Sequence, residues 1–327
     1  MKVLLTGGAG DLGQTLVPKL LARGDTPVVL DIRAPAALSR EAVFIQGSIL
    51  DRSGLRDSFR GCDCIVHIAA WHGIHEARGE KGADDFFDLN VRGTFEVFEA
   101  AATLGINQVV HISTTSVHRP DTLYGRSKLL AERIAEDYAK YRAMNVITLR
   151  PRAFIPFWNR GVYANYVEWA RWFWKGAVHI DDVAAAVLLS IDQASAQKTG
   201  SPPALPLAGQ HAAPQPAAQQ TGPQPALEPA AQQTGPHPAL PLDGAYEYTD
   251  ADLAHWDADG AGSTFRKYYA DYYDLALRHA LDPTVKPNKL DISETERWLG
   301  YKPSFSLAHL LFELATYGDK GPPRPHR

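Results

Sequence analysis

A tyrosine and a lysine four positions apart are the pair in this chain best suited to move a proton. Tyr124 and Lys128 stand in Leu-Tyr-Gly-Arg-Ser-Lys-Leu-Leu, at the start of a helix predicted over residues 124–142. Residues at i and i+4 share a helix face. A neighbouring ammonium lowers the pKa of a phenol from ~10 toward neutrality, so Tyr124 could take or return an alcohol's proton during oxidation or reduction. The same spacing also occurs by chance on helix surfaces.

Hydroxyl side chains come shortly before this pair. A strand predicted over residues 109–113 runs into Ser113-Thr-Thr-Ser116, so Thr114 and Thr115 should lie at its carboxyl end. In an open parallel sheet, that edge is where ligands bind. A hydroxyl there could hydrogen-bond the oxygen that reacts.

The chain begins with a short apolar run that breaks into glycines, followed by an amphipathic helix predicted at about residues 12–22. Gly7 would allow a φ that other residues avoid, Gly10 the close approach of a pyrophosphate, and Gly13 tight packing of the helix on the sheet. The helix N-terminus offers free N–H groups to phosphates. This order of elements favours a dinucleotide site over an unliganded glycine-rich turn.

An acidic residue closes the second predicted strand, at residues 27–32, 18 residues after Gly13. Asp31 could accept hydrogen bonds from both adenosine ribose hydroxyls and would repel a 2′-phosphate, which favours NAD over NADP. Arg33 could hold such a phosphate, but we interpret it as a solvated surface charge. Asp31 could also be an ordinary turn residue.

Strand-like and helix-like segments alternate along the first half of the chain. Further strands are predicted at 43–46, 64–69 and 146–150, and further helices at 52–60 and 86–104. This alternation predicts an α/β fold with a doubly wound parallel sheet covered on both faces. We expect a dinucleotide-binding domain over residues 1–153 and a smaller substrate-binding region over 154–327, from which 177–191 return to the core.

Composition narrows the class of protein. The 327 residues are 45% hydrophobic and 21% charged, and the net charge of −4 gives no basic surface for nucleic acid or anionic membranes. Apolar runs fall short of the ~18 residues that span a bilayer. Cys62 and Cys64 lack a second pair to complete a metal site, so we expect no metal, reduced thiols and a cytoplasmic protein.

Residues 198–243 are rich in Pro, Ala and Gln and contain a nearly repeated unit with a period of 13. Such a composition cannot bury enough apolar surface to fold, so we predict a disordered insertion. A solenoid is the alternative, but two copies are too few.

Aromatic residues crowd the segment 154–174. They could stack on a ligand or pack as a small lid against the core. Trp158 and Tyr163 are the members most suited to contact a ligand. Trp71 and His72, which follow the fourth strand, could contact it too.

The order of these motifs resembles the extended short-chain dehydrogenase/reductases, the family of NAD-dependent epimerases and dehydratases. The resemblance covers most of the chain outside 198–243 and implies a Rossmann-like fold. The matching pieces are Thr6–Gly13, Asp31, His67–Ala70, Asn90–Thr94, Ser113–Ser116, Tyr124 with Lys128, Leu149–Pro151, His179–Ala184 and Asp291–Pro303.

The resemblance implies catalytic roles. Tyr124 would be the general acid and base, and Lys128 would bind the nicotinamide ribose and lower the tyrosine pKa. Thr114 is the best match to the hydroxyl that contacts substrate, with Thr115 second. Asn90 would support the active-site helix and strand.

A larger set is assigned to ligands. For NAD it comprises Gly7, Gly10, Asp11, Leu12, Gly13, Asp31, Ile32, Arg33, Ser48, Ile49, Ala69, Ala70, Lys128 and Pro151, and for substrate Trp71, His72, Ala153, Trp158, Tyr163 and Lys175. Ala69 and Ala70 would leave room beside the cofactor. Asp11 is unusual in such a turn, and we expect it to point away from the pyrophosphate.

The departures from the family pattern are informative. Thr115 and Ser116 occupy the places where family dehydratases carry Asp and Glu, which disfavours dehydration and decarboxylation. Only ten residues lead from Thr114 to Tyr124, so a substrate-covering loop is short. Lys175 stands near the place of a phosphate-binding arginine and lacks its bidentate fork.

The leading hypothesis is an NAD-dependent sugar epimerase acting on a nucleotide-linked sugar. A net dehydrogenase or reductase of a small sugar, sugar acid or other alcohol is the first alternative, and a non-catalytic NAD-sensing protein is the second. The resemblance also implies a homodimer formed through the helices at 86–104 and 124–142.

Overall fold

The computed structural model describes residues 1–119, 121–196 and 237–323. Within them one parallel sheet has the strand order β3-β2-β1-β4-β5-β6-β7. The strands are β1 (Lys2–Thr6), β2 (Thr26–Asp31), β3 (Val43–Gln46), β4 (Cys64–His67), β5 (Gln108–Ile112), β6 (Asn145–Pro151) and β7 (Ala239–Leu242). The predicted doubly wound, Rossmann-like sheet is confirmed.

The helices lie between and after the strands. They are α1 (Asp11–Ala22), α2 (Arg52–Phe59), α3 (Gly73–Ala77), α4 (Ala83–Phe86), α5 (Gly93–Thr103), α6 (Leu123–Tyr141), α7 (Tyr166–Phe173), α8 (Ile180–Ala196), α9 (Asp250–Ala254), α10 (Ser263–Tyr269), α11 (Tyr273–Arg278), α12 (Ser293–Leu299) and α13 (Leu307–Tyr317). A π-helical turn, Phe87–Arg92, joins α4 to α5. None of the helices in the described ranges is long and apolar enough to cross a membrane.

The sheet has a hydrophobic core on each face, because successive residues of a strand point to opposite faces. Leu5 packs with α1 and α8 on one face, and Leu4 packs with α2, α5 and α6 on the other. β4 and β5 are buried along their whole length, which explains their continuous apolar sequences. The strand order reverses between β1 and β4, where a doubly wound sheet opens a ligand crevice.

A third core lies in the C-terminal part of the chain. Tyr166 and Trp169 of α7 are almost fully buried and pack with Phe265 and Leu310. Most of the aromatic segment is therefore a packed layer, as in the second alternative of the sequence analysis, packing against the core.

The prediction of a disordered segment over 198–243 is wrong at its end. Residues 239–242 form β7, which pairs with β6 and buries Leu240 and Leu242 completely. Pro241 is tolerated because β7 is an edge strand, where a missing N–H leaves no ladder bond unmade. The part of the prediction on 198–236 lies outside the described residues.

Candidate active site

The residues predicted to do chemistry gather at the carboxyl ends of β1, β2, β4 and β5. The glycine turn follows β1, Asp31 ends β2, Ala69 and Ala70 follow β4, and Thr114 follows β5. This is the edge where the sheet topology opens its crevice.

The glycine turn has the conformation that its sequence predicts. Gly7 has a φ of +67°, and a Cβ there would lie 2.8 Å from the Cα of Ala69. A Cβ at Gly13 would lie 2.3 Å from the carbonyl oxygen of Gly8, so only glycine lets α1 approach the backbone of the glycine turn this closely. Ala69 is thus part of the turn's packing as well as a neighbour of the crevice.

The residues present fit a dinucleotide. Gly10 is the N-cap of α1 and makes no side-chain capping hydrogen bond, so in the described part of the chain the positive end of the α1 dipole faces the glycine turn, where a phosphate could bind. A Cβ at Gly10 would meet only the Gly7 carbonyl oxygen, at 3.2 Å, which leaves the outer side of the turn open. Gly7, Gly10 and Gly13 would hold the pyrophosphate of NAD through backbone groups.

Asp31 is tied to the glycine turn. Its Oδ2 accepts a hydrogen bond from the Ala9 amide at 3.1 Å, and its Oδ1 accepts one from the Arg33 amide at 3.1 Å. A carboxylate has about four acceptor sites, so two remain for ribose hydroxyls. The Arg33 side chain is exposed, as is Ile32.

Some of the residues assigned to the cofactor could contact it only through their backbone atoms. The side chains of Leu12 and Ile49 are buried in the two sheet cores, at 2% and 4% exposure. Both side chains complete the hydrophobic packing of helices on the sheet, so the predicted contact of Leu12 and Ile49 with NAD would have to be made by backbone atoms. The Ser48 hydroxyl accepts a hydrogen bond from the Leu50 amide at 3.1 Å, and Pro151 is buried at the end of β6.

Asp11 contacts a segment far along the chain. Its Oδ2 accepts a hydrogen bond from Asn159 Nδ2 at 2.7 Å. Asn159 also organises its own loop, because its Oδ1 accepts from the Gly161 amide at 3.2 Å. The unusual acidic residue of the turn thereby joins the cofactor side of the crevice to the segment that follows β6.

Tyr124 lies in the first turn of α6, partly exposed at the crevice. Burial raises the pKa of its phenol to about 12, and a hydrogen bond with the Thr114 side chain lowers it in part. Thr114, rather than Thr115, thus contacts the phenol. Thr114 also caps the 3₁₀ turn Thr115–His118 by accepting from the Ser116 amide at 3.1 Å.

Lys128 does not act on the phenol as the spacing predicts. Its Nζ donates to the carbonyl oxygen of Ile112 at 2.6 Å, at the end of β5, and it does not contribute to the pKa shift of Tyr124. Burial lowers the pKa of the Lys128 ammonium to about 8. The predicted lowering of the tyrosine pKa is therefore wrong for this arrangement, because burial raises the pKa of the phenol while the ammonium bonds the Ile112 carbonyl.

Asn90 lies in the π-helical turn and clamps two neighbouring elements. Its amide donates to the carbonyl of Trp71 at 2.8 Å and to Ser127 Oγ at 2.9 Å, and it accepts from the Trp71 amide at 2.7 Å. Ser127 in turn donates to the carbonyl of Tyr124 at 2.9 Å. Asn90 thus links the segment after β4 to the helix that carries Tyr124, and its catalytic importance stays a prediction.

The buried side chain of His67 helps to fix the position of Asn90 through a chain of hydrogen bonds. Thr6 Oγ1 accepts from the amides of Ile68 and Ala69, so its proton goes to His67 Nδ1 at 2.8 Å. His67 Nε2–H then donates to Thr94 Oγ1 at 2.9 Å, and Thr94 donates to the Asn90 carbonyl at 2.6 Å. Burial lowers the pKa of His67 to about 3, so this chain of hydrogen bonds keeps one tautomer at neutral pH.

The residues predicted to contact substrate lie in different parts of the structure. Trp71 and His72 lead into Gly73, where a Cβ would lie 3.4 Å from Cδ1 of Tyr124. Trp158 is partly buried and packs on the cores of the sheet and of the C-terminal part. Tyr163 is 6% exposed, and within the described residues its hydroxyl has no hydrogen-bond partner.

Lys175 is not grouped with Tyr124. It is exposed and lines a cavity of about 80 Å³ that also contains Lys286, Trp174 and Tyr246. None of the residues assigned to the glycine turn or contacting Tyr124 lines that cavity. Ala153 is exposed just after β6, and its carbonyl accepts from the Val178 amide at 3.0 Å.

Two polar residues of the site escaped the sequence analysis. Glu76 bonds the first amides of α6, and Asn159 bonds Asp11. Their partners lie 47, 48 and 148 residues away, so no local pattern could reveal them. In the described residues, no group of His, Cys, Asp or Glu side chains could hold a metal ion.

Comparisons with known proteins add to this geometry. Residues 3–155 match the NAD dependent epimerase/dehydratase family. The chain is 31% identical over 167 residues to a UDP-glucose 4-epimerase of Erwinia amylovora, which covers 43% of this chain and 49% of that protein. It is 30% identical over 225 residues to sterol demethylase protein B of Methylococcus capsulatus, covering 59% and 66%. The chain thus spans about half to two thirds of these relatives.

A solved structure shares the whole fold. The UDP-N-acetylglucosamine 4-epimerase from Bacillus cereus superposes with a TM-score of 0.61 at 16% identity, over 97% of this chain and 99% of that one. The glycine turn, Asn90, Thr114, Tyr124 and Lys128 all lie within the matched residues 3–155. Over residues 3–155, slightly less than half of its length, the chain is similar to the NAD dependent epimerase/dehydratase family, in agreement with the resemblance that its sequence motifs carry.

Proposed function

We propose that this protein is an NAD-dependent epimerase of a nucleotide-linked sugar, acting by transient oxidation of a carbinol. The observation that carries the proposal is the contact of Thr114, which follows β5, with Tyr124, together with the buried ammonium of Lys128 at the end of the same strand. The named activity of the Erwinia amylovora relative supports the class of substrate.

Tyr124 would take the hydroxyl proton of the carbinol and give it back after the sugar has turned in the site. Bound NAD would supply the hydride chemistry, accepting a hydride from the carbinol carbon and returning it to the other face. Thr114 would hydrogen-bond the same oxygen and hold it against the phenol.

Among the described residues, this arrangement lacks a positive charge that would lower the pKa of the Tyr124 phenol. A phenol with a pKa of about 12 is almost fully protonated at neutral pH and so cannot accept a proton, which requires that a cation come close to it during the reaction. Lys128 can be that cation, because its pKa of about 8 keeps it charged at neutral pH. A rotation of its flexible side chain away from the Ile112 carbonyl would bring it toward the phenol.

Asp31 supports NAD rather than NADP. Its carboxylate lies beside the turn that would hold the pyrophosphate and would repel a 2′-phosphate. We also propose a homodimer through α5 and α6, because Phe95 and Leu130 of these helices are exposed apolar side chains, at 40% and 43%.

A net dehydrogenase is the second candidate. Thr114 and Tyr124 are only ten positions apart in the sequence, and so short a connection offers few groups to cover a large nucleotide sugar. A small sugar or alcohol needs less covering. A pure NAD sensor is disfavoured, because it has no use for a hydroxyl-bonded phenol at the crevice.

Product analysis separates these functions. The purified protein is denatured to quantify bound NAD, and the native protein is incubated with UDP-glucose or UDP-galactose while NADH is followed. An epimerase retains NAD and interconverts the sugars without net NADH. Steady NADH formation with free sugars overturns epimerisation in favour of dehydrogenation, and conversion of neither substrate class overturns both.

A further inference from the structure

The first turn of α6 is held by a carboxylate from another part of the chain. The Leu123 amide donates to Glu76 Oε1 at 2.8 Å, and the Tyr124 amide donates to Oε2 at 3.0 Å. The next two amides are satisfied locally, since Gly125 bonds the Thr122 hydroxyl and Arg126 bonds the Thr122 carbonyl. All four leading amides of α6 are therefore paired, two of them by Glu76.

The local cap would suffice for an ordinary helix. Thr122 already provides the hydroxyl that a helix N-terminus prefers. Glu76 adds a charged acceptor at the positive end of the helix, where both of its oxygens are used. What Glu76 contributes beyond Thr122 is a fixed position of the Tyr124 backbone relative to α3.

The segment that carries Glu76 also touches the phenol ring and the loop after β6. A Cβ at Gly73 would lie 3.4 Å from Cδ1 of Tyr124, so this backbone lies against the ring. Arg78 donates to the carbonyl of Gly161 at 3.0 Å. Residues 73–78 thus connect α6 to the loop that holds Asn159.

We propose that Glu76 is a positioning residue for Tyr124, fixing the phenol between Thr114 and the segment 73–78. The proposal rests on the proposed function, in which Tyr124 transfers the proton. Glu76 bonds backbone amides and leaves the reacting oxygen to Thr114 and Tyr124. Loss of its bonds would let the first turn of α6 shift, and a misplacement of ~1 Å can lower a rate by about a hundredfold.

The test compares Glu76→Gln, which keeps the shape and one acceptor oxygen, with Glu76→Ala, which keeps neither. Glu80→Gln is the control, because this residue is exposed and its carboxylate pairs with Arg78 rather than with an amide of α6. We expect kcat to fall by about tenfold in Glu76→Gln and about a hundredfold in Glu76→Ala, with KM and the Kd for NAD within about twofold of wild type. Hydrogen exchange of the peptide 121–130 should become faster in both Glu76 variants, and Glu80→Gln should match wild type.

Unchanged kcat and unchanged exchange in Glu76→Ala would overturn the proposal. A parallel loss of kcat, NAD affinity and Tm would also overturn it, since a merely structural residue behaves in that way. If the wild-type protein turned over no alcohol, the proposed function would fail alone. The exchange of the Leu123 and Tyr124 amides would then still decide whether Glu76 holds this turn.

Discussion

At the residue scale, burial rather than spacing sets the proton affinities of the central pair. The i,i+4 arrangement does place Tyr124 and Lys128 on one helix near the crevice. The interior disfavours the charged form of each group, so the phenol pKa rises to about 12 and the ammonium pKa falls to about 8. A pattern of residue types can therefore locate a reactive pair without giving its electrostatics.

The lowered pKa of Lys128 predicts a pH dependence of stability. Between pH 8 and 10.5 the folded protein has released this proton while the unfolded chain still holds it, so wild-type stability gains with rising pH. The free energy of unfolding of wild type, relative to Lys128→Met, should increase across this window. Chemical denaturation at several pH values measures the difference. A difference that stays flat or declines toward pH 10 would contradict the assigned burial.

At the element scale, loops that are distant in sequence hold the crevice together. Asn159 joins the loop after β6 to Asp11 in the glycine turn, and Arg78 joins the same loop to the segment after β4. The loop therefore contacts the elements on both the cofactor side and the Tyr124 side.

The bond between Asn159 and Asp11 should slow the release of NAD. Removing it in Asn159→Ala should accelerate dissociation about tenfold, which corresponds to about 1.4 kcal/mol from one hydrogen bond to a charged group. Asn159→Asp should accelerate it further, because two carboxylates would then face each other. Stopped-flow fluorescence of NADH release measures both rates. Rates equal to that of wild type in both variants would show that the loop does not retain the cofactor.

At the scale of the whole molecule, the parallel sheet was predictable because local sequence patterns determine each strand and the helix that follows it. The turn at Gly7 and the acidic end of β2 were predictable for the same reason. β7 was not, because a four-residue strand containing Pro241 gains its stability from pairing with β6, about 90 residues earlier. Glu76 and Asn159 were missed since their partners come together only in the folded chain.

Exposed apolar side chains on the surface of the molecule predict that it forms a dimer. Phe95 and Leu130 leave apolar area exposed on α5 and α6, and a second copy would cover it. Phe95→Glu should convert a dimer into a monomer, because it would bury a charge in the interface. Light scattering after gel filtration measures the mass. Exposed Phe312 on α13 offers a control, Phe312→Glu, which should leave a dimer intact. A wild-type monomer would contradict the proposed assembly.

The most direct test of the proposed proton transfer is to remove the hydroxyl group of Tyr124. Tyr124→Phe removes one oxygen from the crevice, and Tyr141→Phe makes the same change at a 70% exposed position on the same helix. Turnover of the sugar substrate and retention of NAD should be measured for both. We predict that Tyr124→Phe loses turnover by about a thousandfold while retaining NAD, and that Tyr141→Phe matches wild type. Full turnover by Tyr124→Phe would show that the proton moves through another group.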